Sequence, residues 1–89
     1  MATILIRYWA AARSAAGVES ESVEADSCRA ALDQVLAARA VSPGGSRELE
    51  RVLGASSFLV DGTARRRADL ARPVADQATL EVLPPFAGG

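Results

Sequence analysis

The 89 residues predict an α+β domain in which a sheet of about five strands packs on one main helix, and three stretches carry that prediction. Thr3 to Trp9 is apolar, rich in β-formers and alternating. Cys28, Ala31, Leu32, Val35 and Leu36 recur at helical spacing. Ser57 to Val60 and Thr63 to Arg67 flank Asp61-Gly62, the strongest short hairpin signal that a sequence offers.

The first stretch reads as a central strand, with Ile4, Ile6 and Tyr8 on one face and Leu5, Arg7 and Trp9 on the other. Ala10 to Ala16 is Ala-rich and followed by Gly17, which predicts a short helical turn closed by a glycine. Val18 to Ala25 alternates weakly with acidic residues, as an edge strand does. Ser27 offers a helix cap, and the principal helix runs to about Ala40, where Ser42-Pro43-Gly44-Gly45 breaks it. Ser46 to Leu53 is a second short helix with Leu49, Val52 and Leu53 apolar. After the hairpin, Ala68 to Ala78 is an irregular crossing containing Pro73, and Thr79 to Leu83 closes the domain as a strand. Residues 1–83 are thus one domain, and 84–89 a tail.

Composition narrows the chemistry. About half the residues are apolar (49%) and the formal charge is −1, so a small soluble domain with a modest core is expected and no face is basic enough to suggest nucleic acid. Arg or Gly interrupts every apolar run within a few residues, which predicts neither a signal peptide nor a membrane span and leads us to expect a cytoplasmic location. All ten basic side chains are Arg, with no Lys and no His. Without His, general acid-base catalysis requires a strongly perturbed carboxylate or Tyr8; without Lys there is neither a P-loop nor a Schiff base. No Cys/His cluster is present to bind a metal, and no bound cofactor is expected. Cys28 shares the helical spacing of Leu32 and Val35 and reads as core. An enzyme acting alone is not expected.

The chain closes on Leu83-Pro84-Pro85-Phe86-Ala87-Gly88-Gly89. Proline lacks a backbone donor and fixes its own φ, so Pro84-Pro85 leaves the sheet ladder and runs extended. Residues 84–89 at about 3.1 Å each reach roughly 19 Å, enough to enter a narrow channel. The carboxylate on Gly89, with a pKa near ~3.5, is an anion at neutral pH and a poor electrophile. Adenylation by an ATP-using partner, then attack by a sulfur or nitrogen nucleophile, is the economical way to activate it, and no β-carbon crowds that carbonyl.

Faces also argue for a partner. If Ile4, Ile6, Tyr8, Phe58, Val60, Leu80 and Val82 fill the core, then Leu5, Trp9, Leu59 and Leu83 lie on the opposite side of the sheet. An apolar patch with Trp9 at its centre marks an interface, because aromatic anchors dominate binding energy. Arg65-Arg66-Arg67 reads first as protection of a strand edge, with steering of an acidic partner as the alternative.

Three segments, Tyr8-Trp9-Ala10-Ala11-Ala12-Arg13, Phe58-Leu59-Val60-Asp61-Gly62 and Leu83 to Gly89, resemble the MoaD/ThiS family of ubiquitin-like sulfur carriers over nearly the whole chain, and most closely the small subunit of molybdopterin synthase. The resemblance implies a β-grasp fold with the first and last strands parallel at the centre of a mixed sheet. It implies that Gly89 is adenylated by an E1-like enzyme using ATP, converted to a thiocarboxylate with sulfur from a donor protein, and inserted with Pro84, Pro85, Phe86, Ala87 and Gly88 into the large subunit, where the sulfur builds the dithiolene of molybdopterin. Arg13 matches the opening motif, which suggests a role in positioning the partner or the tail, with a surface ion pair as the simpler alternative. Two positions depart from the pattern: Trp9 stands where Phe is common, and Asp76-Gln77 where Asp-Gly usually opens the last strand, which puts Gln77 in a turn that prefers glycine. A carrier for thiazole, cysteine or another metabolite shares the same tail chemistry, and a protein modifier joined to target lysines is the alternative of a different class.

Overall fold

The computed structural model describes residues 1–41 and 45–85. Along the chain come β1 (Ala2–Tyr8), α1 (Ala10–Ala16), β2 (Ser20–Ala25), α2 (Cys28–Arg39), α3 (Arg47–Ala55), β3 (Ser57–Val60), β4 (Thr63–Arg65), a 3-10 turn (Arg67–Ala71) and β5 (Gln77–Leu83). The five strands form one mixed sheet in the order β2-β1-β5-β3-β4. β1 and β5 are parallel, with Ile4 opposite Ala78 and Tyr8 opposite Val82, and the other pairings are antiparallel.

Alternation along β1 and β5 decides which side is covered. Ile4, Ile6, Tyr8, Ala78, Leu80 and Val82 are buried beneath the helices with Phe58 of β3, against Leu32 and Val35 of α2 and Leu49 and Leu53 of α3. Each large aliphatic side chain removed from water in this way contributes about 1.5–3 kcal/mol. α1 buries Ala12 and Ala16 and packs Ala15 against the core, and such small side chains let its backbone approach closely. The Ser27 Oγ accepts a hydrogen bond from the Ala30 N–H at 3.1 Å and caps α2. Gly17, at φ 81°, closes α1 by donating its N–H to the Arg13 carbonyl at 2.9 Å.

The expected elements are present, with local differences. β4 stops at Arg65, not Arg67, because Arg67 opens the 3-10 turn and donates to the Leu53 carbonyl at 2.9 Å. That turn buries Leu70 in what the sequence suggested was an irregular crossing. β5 begins at Gln77 rather than Thr79, since the parallel register with Thr3 already holds Gln77 extended, so Gln77 occupies a strand and not a turn. β2 begins at Ser20 rather than Val18, after the Gly17 cap, and α3 runs on to Ala55. Val60, expected in the core, packs against it but is only half-buried, because it stands at the hairpin end of β3 beside a surface cleft that it lines with Cys28, Asp61 and Leu70. The predicted break at Ser42-Pro43-Gly44 lies outside the described residues.

Candidate functional site

Parallel pairing of β1 and β5 brings two chain exits to one end of the sheet. At that end β1 hands over to Trp9, whose N–H donates to the Val82 carbonyl at 3.3 Å. The chain then turns abruptly into α1 through Ala10, which has φ 48°, an uncommon conformation for a residue with a β-carbon. Beside Trp9, β5 ends at Leu83, the ladder partner of Ser57. Pro84 cannot donate to a ladder, so pairing stops there; Pro84 is half-buried and Pro85 is exposed. The tail therefore departs from the middle of the sheet. The predicted tail residues Phe86, Ala87, Gly88 and Gly89 lie outside the described residues.

The face of the sheet away from the helices carries the other predicted partner-binding residues. Leu5, Leu59 and Leu83 are half-buried, and Trp9 is 41% exposed. They do not form an unbroken apolar patch with Trp9 at its centre. Arg7 stands opposite Glu81 across the β1-β5 ladder, and Glu81 stands opposite Leu59 across the β5-β3 ladder. The centre is thus charged, with leucines around it and Trp9 at the tail end. The Arg7 guanidinium lies over the Trp9 ring, 5.0 Å from its centroid, a cation–π contact that orients the indole. Period-two alternation puts Arg7 and Glu81 on the face of Leu5 and Leu83, but only the ladder register sets the two side by side. Arg13 is exposed on α1 and pairs with Glu19 at 3.5 Å, which is worth little as a surface contact.

Neither Tyr8, at this end, nor Cys28, at the opposite end of the sheet beside Asp61 and Gln77, is a base at physiological pH. The Tyr8 hydroxyl, on the covered face, donates to Glu21 Oε2 at 2.7 Å, and burial together with that carboxylate pushes its pKa well above the ordinary tyrosine value. Arg39 Nη2 reaches the same Glu21 oxygen at 2.8 Å and the Ala16 carbonyl at 2.9 Å, tying β1, β2 and the C-terminal ends of α1 and α2 together. Cys28 is buried, as expected, and burial pushes its thiol up, which keeps it from acting as a thiolate. Among the described residues, no group of three potential ligands could hold a metal ion. No helix among them is long and apolar enough to cross a membrane. What the arrangement offers is presentation: a tail exit flanked by an aromatic residue and a partly apolar face.

No protein-family model matches the chain, and no curated protein resembles it significantly. Solved structures do. SAMP1 from Haloferax volcanii superposes with a TM-score of 0.72 at 24% identity, over 98% of this chain and 99% of that one. The small archaeal modifier protein 1 of Methanosarcina acetivorans gives 0.76 at 20% identity, over 100% and 98%. A chain in the complex of subunits 1 and 2 of the molybdopterin-converting factor from Helicobacter pylori gives 0.65 at 18%, over 98% and 99%. At such identities the likeness establishes the fold, a ubiquitin-like β-grasp. These neighbours are also of the kind that the resemblance to MoaD/ThiS carriers implies.

Proposed function

We propose that this protein is a sulfur carrier that works through the carboxylate of Gly89 as the small subunit of a molybdopterin synthase. The observation that carries the reading is the end of the β5 ladder at Leu83, in the middle of the sheet beside Trp9, with Pro84 half-buried and Pro85 exposed. The fold shared with a molybdopterin-converting factor chain that is in complex with a second subunit supports it. In the proposed cycle an E1-like enzyme joins the Gly89 carboxylate to the α-phosphate of ATP and releases pyrophosphate. A persulfide on a donor protein then displaces AMP to give an acyl disulfide, and a second thiol, acting as the reductant, cleaves its S–S bond to free the thiocarboxylate and leave a disulfide on the donor. The large subunit docks on the face bearing Leu5, Leu59, Leu83 and Trp9, receives Pro84 to Gly89 in its channel, and takes the sulfur for the dithiolene. This places the protein in the cytoplasm, and the chemistry in its partners.

A second reading rests on the small archaeal modifier proteins among the neighbours: the same activated glycine would be passed to a lysine of another protein. Intact mass measurement separates the two. The chain is incubated with an E1-like enzyme, ATP and a sulfur donor, in parallel with a chain lacking Gly89. Replacement of one oxygen by sulfur, in the full chain only, is expected of the carrier; isopeptide adducts would indicate the modifier, and an unchanged mass would refute both. Reconstitution with a large subunit and the cyclic pterin precursor then tests the pathway.

A further inference from the structure

The edge of the sheet formed by β4 carries charge that the fold itself does not use. From Asp61 to Arg72 the chain has four Arg and two Asp, in a protein whose net charge is −1. Both aspartates are engaged: Asp61 Oδ1 accepts from the Thr79 N–H at 2.9 Å, and Asp69 pairs with Arg72 at 3.6 Å. Arg67 is braced by its bond to the Leu53 carbonyl and lies 6.0 Å from the Phe58 ring centroid. Arg65 and Arg66 are exposed and, among the described residues, have no carboxylate partner, whereas Arg13, Arg29, Arg39, Arg51 and Arg72 are all ion-paired.

The backbone beside these side chains is open. Asp61 and Gly62, at φ 50° and 83°, form a two-residue turn of the primed type, which makes Val60 and Thr63 the hydrogen-bonded closing pair. The next pair, Leu59 and Ala64, is then a non-hydrogen-bonded one, so Ala64 turns its N–H and C=O outward from the sheet. An outward donor and acceptor flanked by Arg65 and Arg66 is a template for one more strand.

We infer that the β4 edge binds an acidic, extended peptide segment of another protein by strand addition, with Ala64 supplying the backbone hydrogen bonds and Arg65 and Arg66 the charge selection. A second copy of this chain does not fit as the occupant. Its acidic strand is β2, where Glu21 is held by Tyr8 and Arg39, Glu24 accepts from Thr3, and the neighbouring Glu19 pairs with Arg13. The inference is independent of the Gly89 chemistry, since β4 and the tail exit use different residues.

The test is fluorescence anisotropy of the full chain with a labelled hexapeptide of alternating aspartate and valine. Binding is expected, and R65S/R66S is expected to weaken it at least roughly tenfold while Arg47→Ser, an exposed arginine on α3, leaves it unchanged. A probe N-methylated on every residue is expected to lose binding as well, because neither of its edges can complete a ladder. Amide spectra of R65S/R66S report whether the domain is still folded. Absence of binding, equal binding by the double variant, undiminished binding of the N-methylated probe, or equal binding of an oligothymidine would overturn the inference, as would self-association abolished by R65S/R66S.

Discussion

Tyr8 is the only tyrosine of a chain without Lys or His, so its ionisation is visible in alkaline stability with little background. Burial and the Glu21 carboxylate favour the neutral phenol in the folded state, and the folded pKa lies above the ordinary value of 10.0. An unfolded chain releases this proton near 10 while the folded one retains it, so the unfolded state binds fewer protons and stability falls as pH rises past 10. At pH 11 the loss from this one group amounts to about 1.4 kcal/mol relative to neutral pH, and it steepens toward ~1.4 kcal/mol per further pH unit until the folded pKa is reached. Tyr8→Phe removes the slope. It also deletes the 2.7 Å bond to Glu21, at a cost of about 1–2 kcal/mol at pH 7, where Arg39 still holds the carboxylate. The expected result is two curves of stability against pH that start apart and converge by pH 11. Cys28, also pushed up by burial, bends both curves alike and cancels in the difference. Guanidinium unfolding followed by Trp9 fluorescence at several pH values between 7 and 11 supplies the curves, and phenolate absorbance titrates Tyr8 directly. A phenolate midpoint near 10 in the folded protein, or parallel curves for the two proteins, would refute the reasoning.

Leu80→Ala, which empties a fully buried site on the central strand, is expected to cost about 2–5 kcal/mol in equilibrium unfolding, whereas Leu83→Ala on the open face costs less than half as much. Asp61→Ala removes both a side chain that tolerates positive φ and the acceptor of the Thr79 N–H; a loss of about 1–2 kcal/mol is expected, and a thermally unchanged variant would contradict it. At Ala10, glycine relieves the positive φ but loosens the unfolded chain, so Ala10→Gly is expected to fall between neutral and ~1 kcal/mol more stable, as read from the midpoint of guanidinium unfolding. Trp9→Glu is expected to leave the domain folded by circular dichroism and to weaken binding of a molybdopterin synthase large subunit by at least roughly tenfold in calorimetry; unchanged affinity would remove Trp9 from the interface.

Local pattern was sufficient for much of this fold. Alternation in Thr3 to Trp9 and Thr79 to Leu83 separated the covered face from the open one, helical spacing placed Cys28 in the core, and Ser27, Gly17 and Asp61-Gly62 marked cap, stop and turn, because each of these depends on a residue and its near neighbours. The parallel partnership of β1 with β5 entered through the resemblance of whole segments and not through any periodicity, since residues some seventy positions apart leave no local trace of their pairing. The same holds for contacts made across the fold. Tyr8, Glu21 and Arg39 come from three elements, Arg7 meets Glu81 only through the ladder register, and Leu70 is buried only because the 3-10 turn folds back over the helices. Which residues form strands and helices, and which side of each is apolar, was written in the order of the amino acids. Closure of the sheet alone determined that the tail leaves beside Trp9 and that the open face carries a charged centre, because those neighbourhoods exist only after distant strands have paired.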